Sequence, residues 1–234
     1  MQSIHWTRKL RIFCLCLLCA PLLSAQQTAL PSIPPAARVP VQPQYVVVLD
    51  AAHGGSDPGA RLSDTLAEKD VVLTLALRLR SALAAQGVQV VMTRDTDAAV
   101  PLQARAEAAN HALAEACITL HATGTGNGVH LFTSSLAPAP RVQFLPWHTA
   151  QAAFVTQSLR LSSEINSALA HVSVPVILGR TALQPMDSFA CPAVAVEVAN
   201  ARNAPLSDGN YQKKIVDALV SALTQWKNDW RPQP

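Results

Sequence analysis

Two histidines and two glutamates stand where the chain changes character. His53 follows the apolar run VVVLDAA and precedes the pair Gly54-Gly55. His121 closes CITLH, Glu197 closes PAVAVE, and Glu68 opens EKDVVLTLALRLRSAL. Two neutral imidazoles and one carboxylate suit a catalytic zinc, which keeps a fourth position open for water. Water at such a site loses its proton near neutral pH. A second carboxylate that is not a ligand could take that proton and pass it to a leaving amine. Each residue also has a plainer reading. His53 or His121 alone could cap a strand or sit in a polar loop. Glu68, within AEKD, is by default a solvated helix start that complements the helix dipole. Glu197 is harder to dismiss, because a carboxylate buried unpaired behind AVAV would be costly.

For these groups to meet, the elements that carry them must share one rim. YVVVLD reads as a buried strand, and the following Gly54 and Gly55 allow a tight turn. Val72, Leu75, Leu79 and Leu83 stripe a first helix that Gly87 stops, and VQVVMT is the next strand. Pro101 suits a first helical position, with Leu102, Ala106, Ala109 and Leu113 on the inner face of a second helix. CITLHA and GVHLFT read as strands, and Phe154, Ser158, Leu161, Ile165 and Leu169 mark a third helix. VPVILG and PAVAVEV are further strands, before a last helix faced by Tyr211, Ile215, Leu219, Ala222 and Trp226. Strands alternating with helices predict an α/β fold, a three-layer sandwich with a central, largely parallel six-stranded sheet flanked by helices. Such sheets place their sites beyond the carboxyl ends of the strands, which is where His53, His121 and Glu197 fall.

Composition narrows the function classes. Half of the 234 residues are hydrophobic and 14% are charged, so the chain can build a sizeable core. Residues 1–25 read as a signal peptide: Arg8, Lys9 and Arg11 precede the short apolar run IFCLCLLCAPLLSA. Residues 26–44, with Pro31, Pro34, Pro35, Pro40 and Pro43, read as an extended linker, and residues 45–230 as the catalytic domain. The net charge of +3 is carried by those three leading cations, so the mature chain is near neutral and nothing points to nucleic acid. No stable membrane span is expected after the signal is removed, and the chain is expected in the periplasm or extracellular wall. Cys14, Cys16 and Cys19 leave with the signal. Cys117 and Cys191 are expected as two buried apolar thiols, although an exported chain also permits a bridge.

These motifs, in this order, carry a resemblance. VVVLDAAHGGSDPGA, LAEKDVVLTLALRLRSAL, VVMTRDTD, LQARAEAAN, ITLHAT and PAVAVEVANARN resemble the zinc-dependent N-acetylmuramoyl-L-alanine amidases of the type 3 family, over roughly residues 45 to 226. The resemblance implies one Zn2+ held by His53, Glu68 and His121, with Glu197 as the catalytic acid/base. It implies hydrolysis of the amide between N-acetylmuramic acid and the L-alanine of the stem peptide, and hence peptidoglycan glycan and stem peptide as partners, in wall remodelling or cell separation. Four features depart from the family pattern. Ala52 stands where glycine is usual, Thr123 where asparagine is usual, and Val198-Ala199-Asn200 and Asn203 replace a Gly-Phe and a later Ser-Asn.

Two rivals use the same residues. One is another zinc peptide hydrolase of the wall, such as a carboxypeptidase. The other is a degenerate domain that binds peptidoglycan without cutting it. Among the remaining polar residues, Asp50 could bond a ligating imidazole or cap its loop, and Arg94 and Arg105 are expected as structural ion-pair partners rather than substrate clamps. His111, His148 and His171 are expected at the surface. His130, on the strand after His121, could face the cleft, but solvent exposure is the expectation.

Overall fold

The computed structural model describes residues 44–140 and 144–229. The expected signal peptide, nearly all of the expected linker and Trp230 lie outside the described residues. Six strands, β1 (Val46–Ala51), β2 (Gln89–Met92), β3 (Ala116–Ala122), β4 (Val129–Ser134), β5 (Val176–Thr181) and β6 (Ala193–Val198), form one sheet in the order β2-β1-β3-β6-β4-β5. Among the described residues, four α-helices accompany them: α1 (Glu68–Ala85), α2 (Leu102–His111), α3 (Val155–His171) and α4 (Gly209–Asp229). The α/β sandwich expected from the alternation of strand and helix patterns is the observed fold. Four of the five neighbouring strand pairs are parallel, and the exception is β4 against β6.

Burial explains the sequence patterns. Every residue of β1 is buried, as a continuous apolar run between two covered faces requires. On one face, Leu49, Ile118, Leu120, Leu131, Val194 and Val196 pack against the stripes of α1, α3 and α4. Those stripes are Val72, Leu75, Leu79 and Leu83, then Leu161, Ile165 and Leu169, then Ile215, Leu219 and Ala222, at helical spacing. Gly87, at φ 68°, ends the turn after α1 in a conformation that suits glycine. The stripe expected on α2 is only half present. Ala106 and Ala109 are buried, but Leu102 and Leu113 are exposed. The helix ends at His111, and Leu113 turns outward in the left-handed region at φ 49°.

The other face is narrower. Val46 and Val48 of β1, Ala106 and Ala109 of α2, and Cys117, Ala193 and Ala195 of the sheet pack with Met186, Phe189 and Cys191. The segment carrying Met186 to Cys191 is tied down from three sides. Gln151 Nε2 donates to the carbonyls of Phe189 and Cys191, and Asn110 bonds Ser188 and Ala190. Ser134 Oγ donates to Asp187. Cys117 and Cys191 are joined as a disulfide across a Cα–Cα distance of 6.2 Å, which corrects the expectation of two separate thiols. The packing of this segment onto β3 brings the pair together across 74 residues, a proximity that spacing alone does not reveal. Among the described residues, no helix is long and apolar enough to cross a membrane.

Candidate metal centre

The first element of the site is the turn after β1. His53 adopts φ 60°, unusual for a residue with a side chain, and Gly54, Gly55 and Gly59 follow with positive φ. Such backbone persists only where its surroundings impose it. Arg105 Nη2 donates to the His53 carbonyl at 2.5 Å, while Arg94 donates to the carbonyls of Ala51 and Ala52 at 2.8 Å each. Lys69 Nζ donates to the Gly55 carbonyl and to Asp97, and Asp97 accepts the Gly55 amide. The lysine beside Glu68 therefore anchors the loop that carries His53, a role its place in EKD did not disclose. Ala52, the departure beside this loop, is buried and donates its amide to the Leu120 carbonyl, so its methyl is accommodated in ordinary strand-end pairing.

Glu68 is no solvated helix start. It is buried at 4% exposure, and its two oxygens are fully engaged. Oε1 accepts from Ala122 N at 3.1 Å and faces His121 Nδ1 at 2.8 Å. Oε2 accepts from Ala60 N at 2.8 Å and lies 3.1 Å from His53 Nε2. Burial alone would raise its pKa, but the His121 hydrogen bond and the Ala60 and Ala122 amides outweigh that and hold it below the ordinary carboxylate value. His53, Glu68 and His121 each offer one donor atom within 4.8 Å of the others. The floor is equally specific: a Cβ on Gly59 would fall 2.6 Å from both Glu68 Oε2 and His53 Cδ2.

Two imidazole nitrogens and a carboxylate converging on one point could hold a divalent cation, and the surroundings fit one. His53 Nδ1 donates to Asp57 Oδ2 at 2.8 Å, which leaves Nε2 as the lone-pair nitrogen aimed at the cluster. A carboxylate behind a ligating imidazole fixes its tautomer and raises its basicity. Asp57 is in turn held ionised, its pKa lowered by the His53 hydrogen bond first and the Gly59 amide second. Sequence reasoning offered Asp50 for this position. Asp50 instead lies fully buried under the strand, where Oδ1 accepts from Arg105 Nη1 at 2.8 Å and Thr93 Oγ1 at 2.7 Å. Arg105 is thus the ion-pair partner expected, whereas Arg94 serves backbone carbonyls.

Glu197 stands beside this cluster. In the sheet it is the register partner of His121 on β3 and of His130 on β4. Register partners on adjacent strands project to the same face, so the three side chains form a row across the sheet. His130 does not face solvent as expected: its side chain is 12% exposed and its Nδ1 lies 2.6 Å from Glu197 Oε2. The reason is direction. Because β4 runs antiparallel to β6, its first residues meet the same rim as the last residues of β3 and β6. The signal was faint, the period-2 alternation of VHLFTS, which sets His130 and Phe132 on the face opposite Leu131. His111, His148 and His171 are exposed, as expected. A cavity of about 260 Å³ opens beside the row, lined by His121, Phe132, Thr181, Leu183, Ala195 and Glu197.

Similarity to known proteins follows the same outline. Residues 47–225 match the profile of the family described as N-acetylmuramoyl-L-alanine amidase. The chain is 35% identical over 106 residues to the N-acetylmuramoyl-L-alanine amidase AmiC of Neisseria meningitidis serogroup B, covering 43% of this chain and 26% of that protein. It is 38% identical over 90 residues to the germination-specific N-acetylmuramoyl-L-alanine amidase of Bacillus subtilis, covering 32% of this chain and 38% of that one. These alignments thus span about a quarter to two fifths of the relatives' own lengths. The fold is that of the amidase Ami1 from Mycobacterium smegmatis, with a TM-score of 0.66 at 21% identity over 80% of this chain and 98% of that one. The catalytic domain of CwlV from Paenibacillus polymyxa superposes with a TM-score of 0.64 at 22% identity, over 79% and 99% of the two chains. With its α/β sheet, its His-Glu-His cluster and a family match over nearly all the described residues, the chain belongs to the N-acetylmuramoyl-L-alanine amidase family.

Proposed function

We propose that this chain hydrolyses the amide between N-acetylmuramic acid and L-alanine in peptidoglycan, with His53, Glu68 and His121 holding one Zn2+ and Glu197 as acid and base. The observation that carries the reading is the register of Glu197 with His121, which sets a carboxylate that is not one of the three cation donors next to their cluster. Zinc bound there would supply Lewis-acid polarisation of water and of the scissile carbonyl. Glu197 takes a proton from the attacking water and returns it to the amide nitrogen as the carbon–nitrogen bond breaks. Asp57 keeps the His53 ring in the tautomer a metal needs. The cavity beside Glu197, with Phe132, Leu183 and Ala195 as apolar wall and Thr181 as a polar contact, receives part of the substrate next to the scissile bond. Export by the leader at residues 1–25, to the periplasm or the extracellular wall, supplies access to that substrate.

The test is product analysis on purified sacculi. The amidase reading expects new L-alanine amino termini on released peptides, and a Glu197→Ala variant that keeps its zinc but is slower by at least about a hundredfold. Release of single terminal amino acids would mark a carboxypeptidase instead. Equal rates for the variant and the parent would overturn the role of Glu197.

A further inference from the structure

We infer that His130 is a positioning residue of the hydrolytic reaction: its Nδ1–H holds the Glu197 carboxylate in one orientation and leaves the other oxygen free to move protons. The inference rests on the reading of Glu197 as the acid/base and deepens it.

Four observations carry the inference. His130 Nδ1 and Glu197 Oε2 are 2.6 Å apart, a short contact for a nitrogen donor and a carboxylate. The two residues are register partners on adjacent strands, so the contact is set by the sheet and not by a mobile loop. His130 Nε2 is buried and has no hydrogen-bond partner. Finally, the ring is enclosed: Gly126, at φ 88°, passes so close that a Cβ there would fall 2.5 Å from His130 Cε1 and 2.6 Å from Nε2. Phe132 packs edge-on at a centroid distance of 6.4 Å.

Together these choose the tautomer. A proton on Nε2 would be a buried donor with nothing to accept it, whereas a proton on Nδ1 has the carboxylate. The ring therefore presents Nδ1–H to Glu197, and Glu197 Oε2 is committed. Only Oε1 remains to accept a proton from water and return it to the leaving nitrogen. His121, on the other side of Glu197 in the row, is engaged through Nδ1 with Glu68 and does not take this place. An acid/base works at full rate only when its reacting oxygen is held in the productive geometry.

The test uses the full chain with zinc bound, on soluble muropeptide. Asparagine places a side-chain N–H near the position of Nδ1, and glutamine places one near Nε2. The expectation is that His130→Ala lowers kcat by at least about tenfold with KM within about twofold and zinc content unchanged. His130→Asn should recover most of the loss, and His130→Gln should not. If the alanine variant does not fold, the contrast between asparagine and glutamine carries the test. In an E197A background, H130A should produce no further loss, since a residue acting through Glu197 has nothing left to position. A wild-type kcat in H130A, equal rescue by asparagine and glutamine, or a full additional loss in the E197A background would overturn the inference while leaving Glu197 in place. An active E197A enzyme would overturn both, and so separates the two failures.

Discussion

Arg105 and Asp50 form an ion pair beneath the turn that carries His53, with Nη1 of the arginine 2.8 Å from Oδ1 of the aspartate and both side chains at most 4% exposed. The same guanidinium donates to the carbonyls of Ala51 and His53. One side chain thus neutralises a buried charge and fixes the backbone of a proposed metal ligand. Arg105→Ala should cost about 3–5 kcal/mol of folding stability, because it strands Asp50 as an unpaired buried charge. Arg105→Lys should restore little, since one ammonium cannot reach Asp50 and two carbonyls at once. Urea denaturation of the three proteins measures both effects.

Asp57 should tune metal binding without being a ligand. It is largely exposed, so Asp57→Asn should leave stability nearly unchanged. The loss of a charged acceptor behind His53 Nδ1 should weaken zinc affinity by about 10–100-fold, the usual cost of removing such a partner. Competition with a zinc-sensitive dye reads this directly. An unchanged affinity would mean that the His53–Asp57 contact does not orient the ring for metal.

The lowered pKa of Glu68 sets the direction of a pH effect in the metal-free chain. A carboxylate with a depressed native pKa contributes stability above its unfolded value, and that contribution disappears as pH falls through the native value. The urea midpoint should therefore hold near neutrality and decline as the pH drops below about 4.3, the ordinary range for glutamate. Glu68→Gln should start lower and decline less steeply. A decline of equal steepness in both proteins would show that Glu68 is not the group responsible.

The disulfide between Cys117 and Cys191 spans 74 residues and joins β3 to the segment that covers the site face. Reduction, or Cys191→Ala, should remove about 2–4 kcal/mol of stability. Zinc stoichiometry should persist, because none of His53, Glu68 and His121 depends on that bridge for a hydrogen bond. Thermal melts with and without reductant, followed by metal analysis, test the two halves of this expectation.

The sequence by itself determined a great deal. Period and punctuation located the six strands and four α-helices of the described residues, since burial imposes alternation on strands and helical stripes on helices. Residues at strand ends and at the start of the first helix stand out in the sequence as candidates, because a parallel sheet collects its site at one rim. What only the tertiary structure decided was pairing at a distance. Asp57 displaced Asp50 behind His53 because the turn after β1 folds back on itself and turns the strand's own aspartate under the sheet toward Arg105. Cys117 met Cys191 because a covering segment returned to β3. His130 reached Glu197 because one strand pair runs antiparallel, a fact that residue spacing does not encode. Local pattern reports which face a side chain takes, whereas strand order and direction report which other side chain it finds there.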